Sequence, residues 1–323
     1  MKIGPVAIAH PITLAPLEEH SNVCFRALMK RFGASLVCSE RVDAERLARC
    51  DRRALRLLTT SPAESPQAGQ ISGRHPMVMA AAARVVEALG FRMVDLNFDC
   101  PVRRLLLRGE GGALMAHPIA VARIVAQVVQ AVSVPVTLKI RSGPDDSRQT
   151  AVEVARRAEE AGAAAVSVHA RSVAQGYAGG PDWEVVGQVK QAVKIPVIGS
   201  GGIREAADAL RFLRQSGADA VAIGRGCLGN PWIFQQTRAM WCGGAPPPPP
   251  SRQERCRVML QLVEDEFHLY GATVALRRLP RTAGYFAQFL GDGSEFHTAV
   301  RQVRSLQQFR QLVHKLFRQG VLQ

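Results

Sequence analysis

The sequence predicts an α/β fold: a (β/α)8 TIM barrel followed by a small C-terminal all-helical domain. Three observations carry that expectation. Short β-rich apolar runs recur eight times in the first three quarters of the chain. Amphipathic helical segments alternate with several of them, and after a proline run the apolar spacing becomes purely helical.

In order, strands are expected at 12–16 (ITLAP), 35–40 (SLVCSE), 68–72 (AGQIS), 93–97 (MVDLN), 136–140 (VTLKI), 165–170 (AVSVHA), 196–200 (PVIGS) and 220–224 (AVAIG). Between them, residues 76–90, 119–132, 148–162 and 204–217 show helical apolar spacing. Gly90, Gly162 and Gly217 stand where helices commonly end. A doubly wound open sheet is the alternative, but eight evenly spaced units favour the closed barrel. Residues 243–251 (GGAPPPPPS) read as a stiff spacer without sheet or helix hydrogen bonds. They divide the chain into a barrel at 1–242, a linker at 243–251 and a basic helical domain at 252–323.

Composition narrows the function. The 323 residues are 47% hydrophobic and 21% charged, as in soluble globular proteins. No run of about 18 apolar residues suggests a membrane span, and the N-terminus lacks a signal-peptide pattern, so a cytoplasmic monomer is expected. The seven cysteines are widely spaced and form no C-x-x-C pair, which argues against a zinc site or disulfide framework. The net charge is +14. It is spread along the chain, with 11 Lys+Arg against 6 Asp+Glu from residue 251 onward. A polyanionic partner such as nucleic acid is the physical reading, against a merely basic soluble protein.

A barrel builds its active site where strands end. Ser200-Gly201-Gly202 after the seventh strand and Gly224-Arg225-Gly226 after the eighth read as a phosphate cradle. Glycines there let backbone N–H groups approach the oxygens, and the following helix adds positive potential. Gln70, Asn97, Lys139 and His169 would converge beside it, a set suited to a planar hydrogen-bonding cofactor such as flavin mononucleotide (FMN). Lys139 would stabilise an anionic reduced ring. Arg141 and Arg171 follow the fifth and sixth strands.

Cys100 follows the fourth strand at once, in LNFDCPVRR (96–104). Packing, nucleophilic attack and proton donation remain open to it. A cysteine beside a hydride-donating flavin suits the last, because reducing a C=C bond needs hydride on one carbon and a proton on the other.

Four long stretches together resemble one family. They are VDLNFDCPVRRLLLRGEGGALMAHP (94–118), VTLKIRSGPDD (136–146), VSVHARSVAQGYAGGPDWEVVGQVKQAVKIPVIGSGGI (166–203) and GADAVAIGRGCLGNPWIF (217–234). They resemble dihydrouridine synthases, nearest the bacterial B-type enzymes, and RRLPRTAGYF (277–286) is similar to that family's C-terminal helical domain. The resemblance implies FMN-dependent, NADPH-driven reduction of the C5=C6 bond of a uridine in tRNA. It implies Cys100 as the proton donor to C5. Flavin contacts would fall on Pro16, Leu17, Gln70, Lys139, His169, Ser200, Gly201, Gly202, Gly224 and Arg225. Asn97, Arg141 and Arg171 would lie on the substrate side, with Arg103, Arg104 and Arg108 of the cysteine loop available to RNA. The rival readings are an FMN barrel reductase of a free pyrimidine, similar to dihydroorotate dehydrogenase, and a non-catalytic RNA-binding relative.

The chain departs from the family pattern at several positions. Its APM-x-G turn is here APLEEHSN (15–22), its NGD is Ser200-Gly201-Gly202, and its HGRT is His169-Ala170-Arg171-Ser172. The glycine before the cysteine is Asp99. Were the Asp99 side chain to face the thiol, it would raise the cysteine pKa, which suits an acid better than a nucleophile.

Overall fold

The structure, a computed structural model, describes residues 1–290 and 293–319. Residues 291, 292 and 320–323 of the expected helical segment lie outside the described residues. A short hairpin, β1 (Lys2–Ile3) and β2 (Val6–Ala7), precedes the barrel. The larger sheet comprises β3 (Ile12–Leu14), β4 (Val37–Cys38), β5 (Val42–Asp43), β6 (Gln67–Ser72), β7 (Met93–Phe98), β8 (Val136–Arg141), β9 (Ala165–His169), β10 (Val197–Ser200) and β11 (Ala220–Ile223).

Its order is β3-β11-β10-β9-β8-β7-β6-β4, with every pairing parallel. Two backbone bonds close the ring. Leu14 N donates to Leu36 O at 2.8 Å, and Ser35 N donates to Ile12 O at 2.9 Å. The second expected strand is therefore broken. Residues 35 and 36 make the closure, 37–38 pair with β6, and β5 pairs further along β6.

Around the ring lie α1 (Val23–Arg31), α2 (Ala44–Ala48), α3 (Arg52–Leu57), α4 (Pro76–Ala88), α5 (Arg103–Leu107), α6 (Pro118–Val129), α7 (Ala151–Glu160), α8 (Trp183–Ala192), α9 (Ala206–Ser216) and α10 (Trp232–Trp241). The barrel's lower interior is narrow. Small inward residues Ala68, Ala165, Ala220 and Ala222 pack there with Met93 and Ile198, and the hairpin's Ile3 and Val6 plug the end. This hairpin was not legible in the sequence, because two-residue strands leave no periodicity to read.

Beyond residues 243–250, which carry no helix or strand, follow α11 (Arg252–Tyr270), α12 (Ala272–Ala287), α13 (Gly293–Val300) and α14 (Leu306–Gln319). Helix α12 runs through Pro280, where a helix would ordinarily break. Packing offsets the lost hydrogen bond, since Ala275, Leu279, Ala283, Phe286 and Ala287 are all buried.

These helices share one apolar core with the barrel, including Phe25, Leu228, Phe234, Leu262 and Phe286. Asn22 at the start of α1 donates to the buried Glu266 of α11 at 2.7 Å. Gly229, at φ +69°, lies so close to α12 that a β-carbon would collide with the Tyr285 carbonyl. Gly229→Ala is therefore expected to cost at least about 1–3 kcal/mol, read as a lower thermal midpoint. Gly243→Ala, at φ +82° but with nothing within 4 Å, is the milder control.

Candidate active site

The carboxyl ends of the strands open into a cavity of about 700 Å³. Parallel strands put successive side chains on alternate faces, and β8, β9, β10 and β11 each bring an inward residue here, Lys139, His169, Ser200 and Ala222. Of the residues singled out by sequence, Pro16, Leu17, Lys139, His169, Arg171, Ser200, Gly201, Gly202, Gly224 and Arg225 line it. Gln70, Asn97, Cys100, Arg141, Arg103 and Arg104 are not in the lining.

The cradle on β10 and β11 has the backbone that glycine permits. Gly201 and Gly202 sit at φ +119° and +81°, values that L side chains rarely adopt. A β-carbon on Gly226 would lie 2.5 Å from Ile203 O, so the two loops touch through backbone. Arg171, Arg204 and Arg225 share the lining. Burial and then the charges of Arg225, Arg141 and Arg204 lower the Arg171 pKa from its ordinary value, the signature of a concentrated positive field. An anionic group is the complement to such a site.

Lys139 rises from the floor. It is buried, and Nζ donates to Ser200 Oγ at 3.3 Å and faces Asp99 Oδ2 at 3.8 Å. Neither contact exhausts its three N–H groups.

Gln70 and Asn97 are engaged elsewhere. Gln70 Nε2 donates to Asp95 Oδ2 at 2.7 Å, and Asn97 Nδ2 donates to Gln70 Oε1 at 2.9 Å. Asn97 Oδ1 then accepts from the Cys100 backbone N–H at 3.0 Å. This chain of bonds begins on the buried Asp95, whose pKa is raised by desolvation despite bonds from Thr137 and Gln70. It reads as a brace that sets the start of the cysteine loop.

Cys100 itself is buried, 7% exposed. Its carbonyl accepts from Gly112 N–H at 3.0 Å, and Gly111 and Gly112 pack within about one β-carbon of it. Burial is the main cause that raises the thiol pKa above its ordinary value. Of the charges acting on the thiol, Arg41 pulls the pKa down, while Glu18 and Asp99 push it up.

Asp99 does not turn toward the thiol, the orientation considered from sequence. Its carboxylate lines the cavity, pairs with the Arg141 guanidinium (Nε at 3.0 Å) and accepts from His169 Nδ1 at 3.2 Å. Burial alone would raise its pKa, but Lys139, the His169 bond and Arg141 outweigh burial and hold it well below the carboxylate range. His169 is pushed to about 4, mainly by desolvation and against the pull of Asp99, so it is neutral near pH 7.

Arg141 and Arg171 act on a loop. Arg141 donates from Nη1 to the Ser172 and Gly176 carbonyls at 2.9 and 2.6 Å. Arg171 donates to the Ala178 and Gly179 carbonyls at 3.1 and 2.9 Å. The splinted loop carries Tyr177, which is 58% exposed and lines the cavity between the Arg141 and Arg225 guanidiniums, 5.5 and 5.2 Å from its ring. Sequence reasoning missed Tyr177. The glycines around it in QGYAGGP were the available signal. Arg141 Nη2 is buried with no hydrogen-bond partner among the described residues.

The altered turn after β3 keeps the backbone that a glycine would allow. Glu19 sits at φ +66°, a costly region for a residue with a side chain. Several contacts hold it there. Its N–H donates to Glu40 Oε2 at 2.6 Å, its carbonyl accepts from Arg278 at 3.2 Å, and its carboxylate pairs with Arg281 at 2.6 Å. Arg278 and Arg281 belong to α12, so the C-terminal helices brace the cavity mouth.

Arg103 and Arg104 are exposed on α5, beside the exposed Val102. Arg108 is occupied by Asp43 and Glu110 at 3.3 and 3.0 Å. Among the described residues no group of three or more His, Cys, Asp or Glu could hold a metal ion. No helix among them is long and apolar enough to cross a membrane.

Residues 13–320 match the family model described as dihydrouridine synthase (Dus). A protein of Rickettsia conorii named "Probable tRNA-dihydrouridine synthase" is 35% identical over 301 residues, covering 93% of this chain and 91% of its own. A "tRNA-dihydrouridine synthase B" of Xanthomonas axonopodis pv. citri is 35% identical over 305 residues, covering 94% and 92%. Among solved structures, morphinone reductase in complex with tetrahydroNAD aligns with a TM-score of 0.53 at 15% identity, over 79% of this chain and 92% of that one. A 2-naphthoyl-CoA reductase complex aligns with a TM-score of 0.58 at 14% identity over 76% of this chain, which spans about half, 52%, of that protein. At such identities the structural likenesses bear on the fold alone.

Proposed function

The chain belongs to the dihydrouridine synthase family, and from that premise we propose that it reduces the C5=C6 bond of uridines in tRNA, with FMN bound at the barrel mouth and NADPH as reductant. The observation that carries the reading is one cavity that joins an anion cradle, a buried lysine and the wall of the Cys100 loop, in a chain that matches the family over residues 13–320.

The donor set suits FMN. The turns at 201–202 and 224–226, with Arg225 and the neighbouring arginines, would hold the phosphate. Pro16, Leu17, Lys139, His169 and Ser200 would border the ring and its ribityl chain, with Gln70 behind. Lys139 keeps N–H groups free to donate, and the orphaned Arg141 Nη2 is a further donor beside the site. Bound flavin supplies the hydride that NADPH delivers.

The protein's own part is to receive the base and give the second hydrogen as a proton. The buried thiol of Cys100 stays protonated at neutral pH and would donate to C5, while Asn97 sets its loop. Arg141 and Arg171 would act on the substrate side through the Tyr177 loop they hold. The base must leave its stack to enter a cavity of this kind.

In this reading residues 1–242 form the catalytic barrel and 252–323 a tRNA-binding unit joined by the linker at 243–251. The net charge of +14 then has its polyanion.

The test is direct. Purified protein with FMN, NADPH and unmodified tRNA should form dihydrouridine, detected by mass spectrometry of nuclease digests. Reduction of free uridine or orotate in its place would favour a free-pyrimidine reductase. RNA binding without flavin uptake would favour a non-catalytic relative.

Arg103→Gln with Arg104→Gln should weaken tRNA binding across sequences. It should reduce the slope of log K against log salt by about 1 for each phosphate no longer neutralised. A filter-binding series with an unchanged slope would remove those two residues from the interface.

A further inference from the structure

Asp99 sits where groups from two neighbouring strands converge. Its Oδ1 accepts from His169 Nδ1 at 3.2 Å and is ion-paired with Arg141 Nε at 3.0 Å, and its Oδ2 faces Lys139 Nζ at 3.8 Å. Its backbone is held too. The N–H donates to Asn97 Oδ1 at 3.3 Å, and the carbonyl accepts from Arg141 Nε at 2.7 Å. Arg141 is fully buried and tied to two further carbonyls, so the carboxylate cannot follow it elsewhere.

Two consequences follow from elementary chemistry. An ionised carboxylate only accepts hydrogen bonds, so neutral His169 must carry its proton on Nδ1. Its Nε2 is then a bare acceptor on a ring that lines the cavity, with no hydrogen bond among the described residues. The second consequence is electrostatic. A negative charge 3.8 Å from the Lys139 ammonium offsets part of its field at the cavity floor.

We propose that Asp99 is a positioning residue of this site. It holds His169 as the Nδ1–H tautomer, so that Nε2 accepts from a hydroxyl or imide N–H of the bound cofactor. It also tempers Lys139, so that reduced flavin is less stabilised and is the stronger reductant. The second part rests on the flavin reading given above.

Two variants separate position from charge. Asp99→Asn keeps an oxygen at the point shared by Arg141 and His169 but removes the charge. Asp99→Gly removes both, and no backbone angle opposes it, since glycine has no β-carbon to restrict φ.

Nitrogen-15 NMR of histidine-labelled, flavin-free protein should show the Nδ1–H tautomer of His169 in the wild type and in Asp99→Asn, and its loss in Asp99→Gly. With FMN loaded, both variants should be reduced more readily, by at least about tenfold in the equilibrium, or about 30 mV for a two-electron couple. An Nε2–H tautomer in the wild type, or an unaltered tautomer in Asp99→Gly, would overturn the positioning role. An unshifted potential in Asp99→Asn would overturn the role of the charge. A protein that takes up no FMN would refute the flavin reading, while the tautomer measurement still decides what Asp99 does to His169.

Discussion

Cys100→Ala should lower dihydrouridine formation by roughly 10²–10⁴-fold, the usual contribution of a positioned general acid, while NADPH still bleaches the flavin at the wild-type rate. The split follows from the fold. The thiol lies outside the cavity lining, and the cradle stands on β10 and β11, away from the end of β7 that carries Cys100, so its loss leaves the cradle intact. Asn97 bonds to the backbone of residue 100, not to the thiol, and so the loop should keep its place in the variant.

The pH dependence has a definite sign. Burial raises the thiol pKa, so the acid is in its donating form through the neutral range. Activity should fall only as pH rises past the raised value, when the thiolate has no proton to give. Stopped-flow absorbance isolates flavin reduction, and mass spectrometry of the RNA reads product. Equal loss in both would show that the cysteine supports the flavin site; loss in neither would remove it as the acid.

Glu64→Gln should be the most destabilising of these substitutions, by about 3–5 kcal/mol. Arg26 and Glu64 are both wholly inaccessible and are joined at 2.5 and 3.0 Å. The neutral amide leaves a buried guanidinium without its counter-charge. Urea unfolding followed by far-ultraviolet circular dichroism measures the loss as a lower midpoint at similar slope. The double change Arg26→Met with Glu64→Leu should recover much of it, because a buried pair replaced by packed apolar groups is often neutral or better. It should nevertheless weaken FMN binding. Arg26 also donates to the Ser21 and Thr59 carbonyls at 2.6 and 2.7 Å, and Ser21 Oγ accepts from Leu17 N–H at 2.8 Å. The pair therefore steadies the loop that brings Leu17 to the cavity. If the double variant is stable and binds FMN as the wild type does, the pair is a matter of stability alone.

The strands and four of the barrel helices, α4, α6, α7 and α9, were legible because their signals are local. A run such as VTLKI (136–140) is apolar enough to be read as a buried parallel strand, and it is found at 136–141. Segments whose structure depends on distant partners were not legible. Residues 35–40 looked like one strand, yet their first two close the ring by bonding to β3. Proline ordinarily breaks a helix, yet packing carries α12 through Pro280. At the cavity, glycine pairs and strand-end polar residues pointed to eight residues that line it, and the family resemblance added Pro16 and Leu17. Tyr177 was missed because it reaches the cavity on a loop held by arginines from other strands.

By itself, the sequence determined the alternation of strand and helix, the glycine turns of the cradle, the position of Cys100 after its strand and the excess of positive charge. All are properties of composition and spacing within a short stretch of chain. Only the tertiary structure decided which way Asp99 points, that Gln70 and Asn97 brace the loop, and that α12 holds the turn at Glu19. Those depend on side chains from 27 to 262 positions apart meeting across the barrel mouth. No local pattern specifies which donor an acceptor will meet once the ring has closed.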